Sequence, residues 1–156
     1  MTGRAYSILA DGIAAAVALQ AALIGFAAFG LMNDLDGGEV LDHTYAGNAG
    51  WNLHAVVGDV LIPLMAIALV IVAVLARLPG GVRWAAAVLG VVVLQVVLAG
   101  IAHAAAVVGL LHGLNALVLF TVALIAAAWQ ALGQRERALQ VHGRRSARMT
   151  LSRVHV

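Results

Sequence analysis

Four long runs of apolar residues fill most of this chain, and about 20 such residues in a row are enough to cross the hydrocarbon of a bilayer as a helix. The runs cover about residues 8–32, 53–76, 82–103 and 107–132. Lipid offers no partner to a bare backbone N–H or C=O, so each run reads as a helix and the fold class reads as all-α. Composition agrees: 63% of the residues are hydrophobic and the mean hydropathy is +1.02. Only 10% are charged, against about 25% in a soluble domain. The first run exceeds the roughly 7–15 apolar residues of a signal peptide, so it reads as a span. Leu78-Pro79-Gly80-Gly81 interrupts the chain between the second and third runs. Between the third and fourth, Ala104–Gly109 stays apolar, which predicts a short turn. The expectation is one integral membrane domain over 1–133, an up-down-up-down four-helix bundle, followed by a basic tail over 134–156.

Charge placement predicts the direction of the helices. All nine basic residues are Arg. Arg4 precedes the first run, Arg77 and Arg83 flank the second connection, and Arg135, Arg137, Arg144, Arg145, Arg148 and Arg153 follow the fourth run. The first connection carries Asp34, Asp36, Glu39 and Asp42 and no Arg. By the positive-inside rule both termini and the Arg77–Arg83 turn face the cytoplasm of a multi-pass cell-membrane protein. The pI near 9.9 then reflects topology. The tail is expected against anionic headgroups or in solvent, with no nucleic-acid partner. Cysteine is absent, which excludes disulfides, thiolate metal sites and cysteine nucleophiles.

Polar groups inside a span are costly and are candidates for function. Here they are Asp11, Gln20, His54, Asp59, Gln95, His103, His112, Asn115 and Thr121. Gln20 and Thr121 read as interhelical hydrogen bonding. Two histidines, His142 and His155, fall in the tail, whereas His43, His54, His103 and His112 all fall toward the outer side. His54 precedes Arg77 by 23 residues and His112 precedes Arg135 by 23. Each imidazole therefore lies about 35 Å along its helix from the inner charge. His103, 20 residues past Arg83, reaches a similar level at about 30 Å.

Parallel helices in such a bundle are diagonal, with axes roughly 11–14 Å apart when neighbours are 8–10 Å apart. At that separation two imidazoles are not expected to touch, but they can hold a flat group between them. One bis-His haem b, with His54 and His112 as metal ligands, fits this spacing. Gly58 and Ala116, one turn below the two histidines, are expected to clear room for the macrocycle. Gly109 and Gly113 predict close helix packing around His112. Asn115 is expected to orient a ligand or a propionate. His103 is expected beside the group rather than on the metal, paired with a propionate, with Trp51 or Tyr45, or with a second ion. A metal or proton site, and histidines that serve only structure, remain open readings of the same residues.

The stretch QVVLAGIAHAAAVVGLLHGLNAL, Gln95 to Leu117, and the stretch LHAVVGD, Leu53 to Asp59, resemble the ligand helices of the haem A synthase family. The resemblance covers helices two to four. Small four-helix actinobacterial membrane proteins of unknown function look similar as well. In the synthase family each four-helix half carries haem-ligating histidines on its second and fourth helices, which the resemblance puts at His54 and His112. The departures limit what it implies. The family has eight helices, and a carboxylate stands three residues before its first ligand, where this chain has Trp51. Oxidation of a haem methyl group is therefore not expected, and what the resemblance implies is a haem-binding half-bundle.

Two imidazole ligands leave no open position on an iron, which favours one-electron transfer over oxygen chemistry. The expected role is electron transfer or haem handling near the outer face, and an oxidoreductase-type membrane cytochrome if an enzyme. Two alternatives stand beside it. One is divalent metal handling or transport, with His43, His103 and the four loop carboxylates as a collecting surface. The other is a structural or accessory subunit of a larger membrane complex. The partners expected are the lipid bilayer, a redox partner or larger complex, and a further copy of the chain.

Overall fold

A computed structural model describes residues 2–154, with side-chain surroundings described for 2–137, 139 and 140. The described residues are helical or in turns, with no strand among them. Four helices are long and apolar enough to cross a membrane, and they make the chain read as a multi-pass membrane protein. The first is Thr2–Asp36 and the second is Ala49–Leu75. The third is Gly81–Ala102 and the fourth is Ala106–Val154. The first touches the second and fourth, and the third touches the same two.

The helix ends differ from the apolar runs for a physical reason. Charge ends a membrane run, but it does not end a helix. Past Leu132 the chain continues through Gln134, Arg135, Glu136, Arg137, Ala138 and Leu139. These residues favour helix and contain no proline, so the fourth helix runs on to Val154. The basic stretch after residue 133 is, through Val154, helical and continuous with the fourth span. The side chains of His142 and of Arg144 to Arg153 lie outside the described residues, as does all of His155.

The second helix carries its own irregularity. Pro63 has no N–H and its ring crowds the carbonyl four residues back. The helix widens to a π turn over Val57–Leu61, and the Ile62 N–H bonds to Val57 O, five residues back. Asp59 sits in this turn and is exposed.

Connections are pinned by few contacts. Asn48 caps the second helix by accepting from Trp51 N at 3.2 Å, and its amide donates to Ala27 O on the first helix at 2.8 Å. Next to it Gly50 is buried against the backbone of Ala27, where a Cβ would lie 2.5 Å from Ala27 N. At the opposite end Tyr6 is fully buried and donates its hydroxyl to Gly81 O at 3.0 Å.

The apolar core lies toward the end of the molecule that holds Arg77. Tyr6, Ile13, Leu69, Val88 and Leu119 fill it, with Ala10, Ala14, Ala66, Ala73, Ala85, Ala123 and Ala126 between them. Alanine lets the helix backbones approach closely. Large aliphatic and aromatic side chains such as Phe29, Leu64, Leu75, Leu110 and Leu117 point outward instead, as suits a lipid solvent. Nearer the acidic connection the space between the helices is polar.

Candidate functional site

That polar region gathers His54 from the second helix, His112 from the fourth, Gln20 from the first and Gln95 from the third. The two imidazole ring centres are 6.4 Å apart, with ring planes inclined at 63°. The structure thus corrects the expectation that diagonal helices hold these rings out of reach of each other. Imidazole side chains project several ångströms from each axis and close the gap.

His112 is held from several directions. Its Nδ1 lies 3.2 Å from Gln95 O, and Gln95 Nε2 lies 3.1 Å from both ring nitrogens and 3.1 Å from His112 O. A consistent set of donors has Nδ1–H donating to Gln95 O, with Nε2 keeping its lone pair. Asn115 completes the cluster, donating to Gln95 Oε1 at 2.6 Å and to Val91 O at 3.1 Å. Asn115 therefore braces Gln95 rather than reaching for a ligand, which corrects its expected role.

His54 is held more loosely. Gln20 Nε2 donates to His54 O at 2.9 Å. Both Gln20 Oε1 and His54 Nδ1 are buried with no hydrogen-bond partner. Buried polar atoms are normally paired, so these two set the surroundings of His54 apart from those of His112.

The small residues also play a different part from the one expected. A Cβ on Gly58 would lie 2.5 Å from Gln20 Nε2, so the room beside Gly58 is filled by Gln20. Ala116 packs partly against the core. A Cβ on Gly109 or Gly113 would meet nothing within 4 Å. That pair does not draw helices together here, because both positions face away from the neighbouring helices. His103 is exposed at the C-terminal cap of the third helix. Tyr45, one of its expected partners, donates instead to Asp34 at 2.7 Å.

The outer connection is knitted by its own hydrogen bonds. Thr44 donates to Asp42 from its backbone N–H at 2.8 Å and from its hydroxyl at 2.6 Å. These bonds hold the Asp42 carboxyl below its usual range. The Asp34 carboxylate beside Tyr45 pushes that phenol above its usual value. Among the described residues no three His, Asp or Glu side chains come together as a metal cluster. A shallow cavity of about 260 Å³, lined by Leu117, Val118, Thr121 and Val122, takes in neither histidine of the pair.

In the sequence Gln20 reads as interhelical bonding alone, and nothing there assigns Gln95 to the site. The available signal was the pair Leu19-Gln20, which returns as Leu94-Gln95.

A family of unknown function (DUF6220) matches residues 44–106. The matched stretch contains His54, Gln95 and His103 and stops short of His112. No curated protein matches the chain, and no solved structure does.

Proposed function

We propose that this chain is a four-helix membrane bundle, with both termini on the cytoplasmic side of the cell membrane, that binds one haem b between His54 and His112 near the outer face. The role we assign is one-electron transfer or haem handling, and the likeness of the ligand helices to haem A synthase agrees with it. The observation that carries the reading is the meeting of the two imidazoles. A metal ion held by two imidazole nitrogens at about 2 Å each puts the ring centres roughly 6 Å apart. The observed separation is 6.4 Å.

The residues fit such a group in their chemistry. His54 Nδ1 is buried and unpartnered, and the hydrogen bond from His112 Nδ1 to Gln95 O makes Nε2 the lone-pair nitrogen, which would exchange its contact with Gln95 Nε2 for the metal. Bound haem would supply a one-electron couple. The chain's own part is to orient both rings, to keep the pair away from bulk water, and to hold His112 in one tautomer. Divalent metal handling draws less support, since the outer carboxylates do not gather into a site with His43 or His103 and two of them are engaged by Thr44 and Tyr45.

The test is an absorption and magnetic-resonance spectrum of protein produced with ample haem. Wild type should be red and low-spin, with a sharp split band on reduction. His54→Ala or His112→Ala should give high-spin or empty protein, and the double variant should be colourless yet still inserted. His103→Ala should keep the low-spin spectrum. Gly58→Leu should lower loading, because it displaces Gln20 from beside His54. Colourless wild type, or single variants with unchanged low-spin spectra, would overturn the haem reading.

A further inference from the structure

The main chains of the two histidines are held in the same way, and the register of that match extends along the four helices. Gln20 Nε2 donates to His54 O, and Gln95 Nε2 donates to His112 O. In both cases a glutamine on one helix grips the main chain of the histidine on the helix that follows. The sequence around each glutamine repeats: Leu19-Gln20, Leu23, Gly25 and Ala27 return in the same spacing as Leu94-Gln95, Leu98, Gly100 and Ala102. The sequence after each histidine repeats as well. Leu53-His54, Gly58 and Val60 return as Leu111-His112, Ala116 and Val118.

Burial follows the same register. In the first helix Tyr6, Ala10, Ile13 and Val17 are buried, and 75 residues on so are Gly81, Ala85, Val88 and Val92 of the third. In the second helix Ile62, Ala66, Leu69 and Ala73 are buried, and 57 residues on so are Leu119, Ala123, Ala126 and Gln130 of the fourth. The histidines themselves are 58 apart. The second helix therefore holds one residue more than the fourth between its histidine and its buried face. The π turn at Val57–Leu61 lies in that interval, and a π turn absorbs one extra residue.

We propose that the bundle is one helical hairpin used twice, and that Gln20 and Gln95 are equivalent positioning residues, each seating the imidazole of its own hairpin. Parallel repeats of this kind are related by an axis along the membrane normal, and shared sites form where the repeats meet. Here the imidazole pair lies at that meeting place, so a group bound by both rings is held by two equivalent halves. Gln95 acts through His112 O and the ring. Gln20 acts through His54 O, and Gln20 Oε1 and His54 Nδ1 are the atoms of that half left without a partner. The duplicated hairpin stands on register alone, whereas the identity of the bound group rests on the haem reading above.

The experiment uses full-length protein in detergent with ¹⁵N-labelled histidine, first without haem. Gln20→Met should move the imidazole nitrogen resonances of His54 and leave those of His112, and Gln95→Met should do the reverse. Far-ultraviolet circular dichroism on the same samples checks that the helices persist, and Gln→Asn at each position gives a second variant should the Met forms fail to fold. With haem added, each glutamine variant should bind about 10–100-fold more weakly than wild type, as is usual when a group behind a metal ligand is lost. If Gln20 variants leave His54 unmoved while Gln95 variants move His112, the halves are not equivalent and the proposal is overturned. If the paired shifts occur but wild type takes up no haem, the duplicated hairpin stands and the haem reading falls.

Discussion

The first hairpin and the second build the same contact with very different completeness. In the second, Gln95 is engaged at both ends of its amide, by His112 and by Asn115. In the first, Gln20 bonds only through its nitrogen, and its oxygen and His54 Nδ1 are left over. The position equivalent to Asn115 is Val57, which has nothing to donate. The first hairpin also carries a long acidic connection and a π turn, where the second has a three-residue turn and an unbroken helix. The difference separates a rigid half from an adjustable one. The His112 ring is engaged by hydrogen bonds, and His54 Nδ1 has no partner. Irregular backbone at the looser half fits that division, since π turns gather at functional positions.

The largest effect is expected from a change of helix length. Deleting Leu117 from the fourth helix should rotate Leu119, Ala123 and Ala126 out of the core, about 100° per residue, and should abolish cooperative unfolding. Deleting Asp59 together with Pro63→Ala removes the extra residue of the second helix and should keep a folded bundle. Thermal unfolding in detergent distinguishes the two. Equal damage from both deletions would mean that the π turn is not an insertion.

Next in size is Gly50→Ala. Its new Cβ would stand 2.5 Å from Ala27 N and 2.6 Å from Ala27 Cα, backbone atoms that cannot swing aside. A loss of about 1–3 kcal/mol is expected for such overpacking. Gly113→Ala in the second hairpin meets nothing within 4 Å and should not destabilise. Chemical denaturation of the two variants side by side measures the contrast.

A smaller effect sharpens the hydrogen-bond comparison. Asn115→Leu strips Gln95 Oε1 of its donor and should cost about 1 kcal/mol. Val57→Asn offers Gln20 Oε1 a donor and should raise stability by a few tenths to about 1 kcal/mol. On the haem reading the gain should come with weaker haem uptake, because Gln20 Oε1 is then engaged. A Val57→Asn protein that binds haem as well as wild type would show that the orphaned atoms play no part.

The smallest effects belong to the exposed connection of the first hairpin. The Tyr45 hydroxyl donates only while protonated, and its pKa is raised. Its contribution is present below the ordinary tyrosine value near 10 and is lost as pH rises through the raised value. Asp42 is shifted down, so its grip on Thr44 is present above the ordinary carboxylate value and is lost as pH falls through the lowered one. The protection of the Thr44 amide from exchange, relative to a free peptide at the same pH, should fall on the acid side. Tyr45→Phe should remove the loop's response on the alkaline side. Neither change should alter the turn at His103–Ala105.

Much of this protein follows from its sequence alone. A run of apolar residues long enough for a bilayer must be helical whatever surrounds it, because the backbone has to satisfy itself. The four helices were therefore legible from Ile8 to Leu132, and His54 and His112 stand out in the sequence as polar groups in apolar runs. Tertiary structure decided what the neighbours of those histidines do. Gly58 gives room to Gln20, Asn115 braces Gln95, and Gly109 and Gly113 face outward, because each depends on the rotation of one helix against the next. Small residues and single amides leave that rotation unspecified in sequence. The π turn lies between the two cases: Pro63 announces a missing hydrogen bond, but only packing decides that the helix absorbs it by one residue and keeps Ile62, Ala66 and Leu69 in the core.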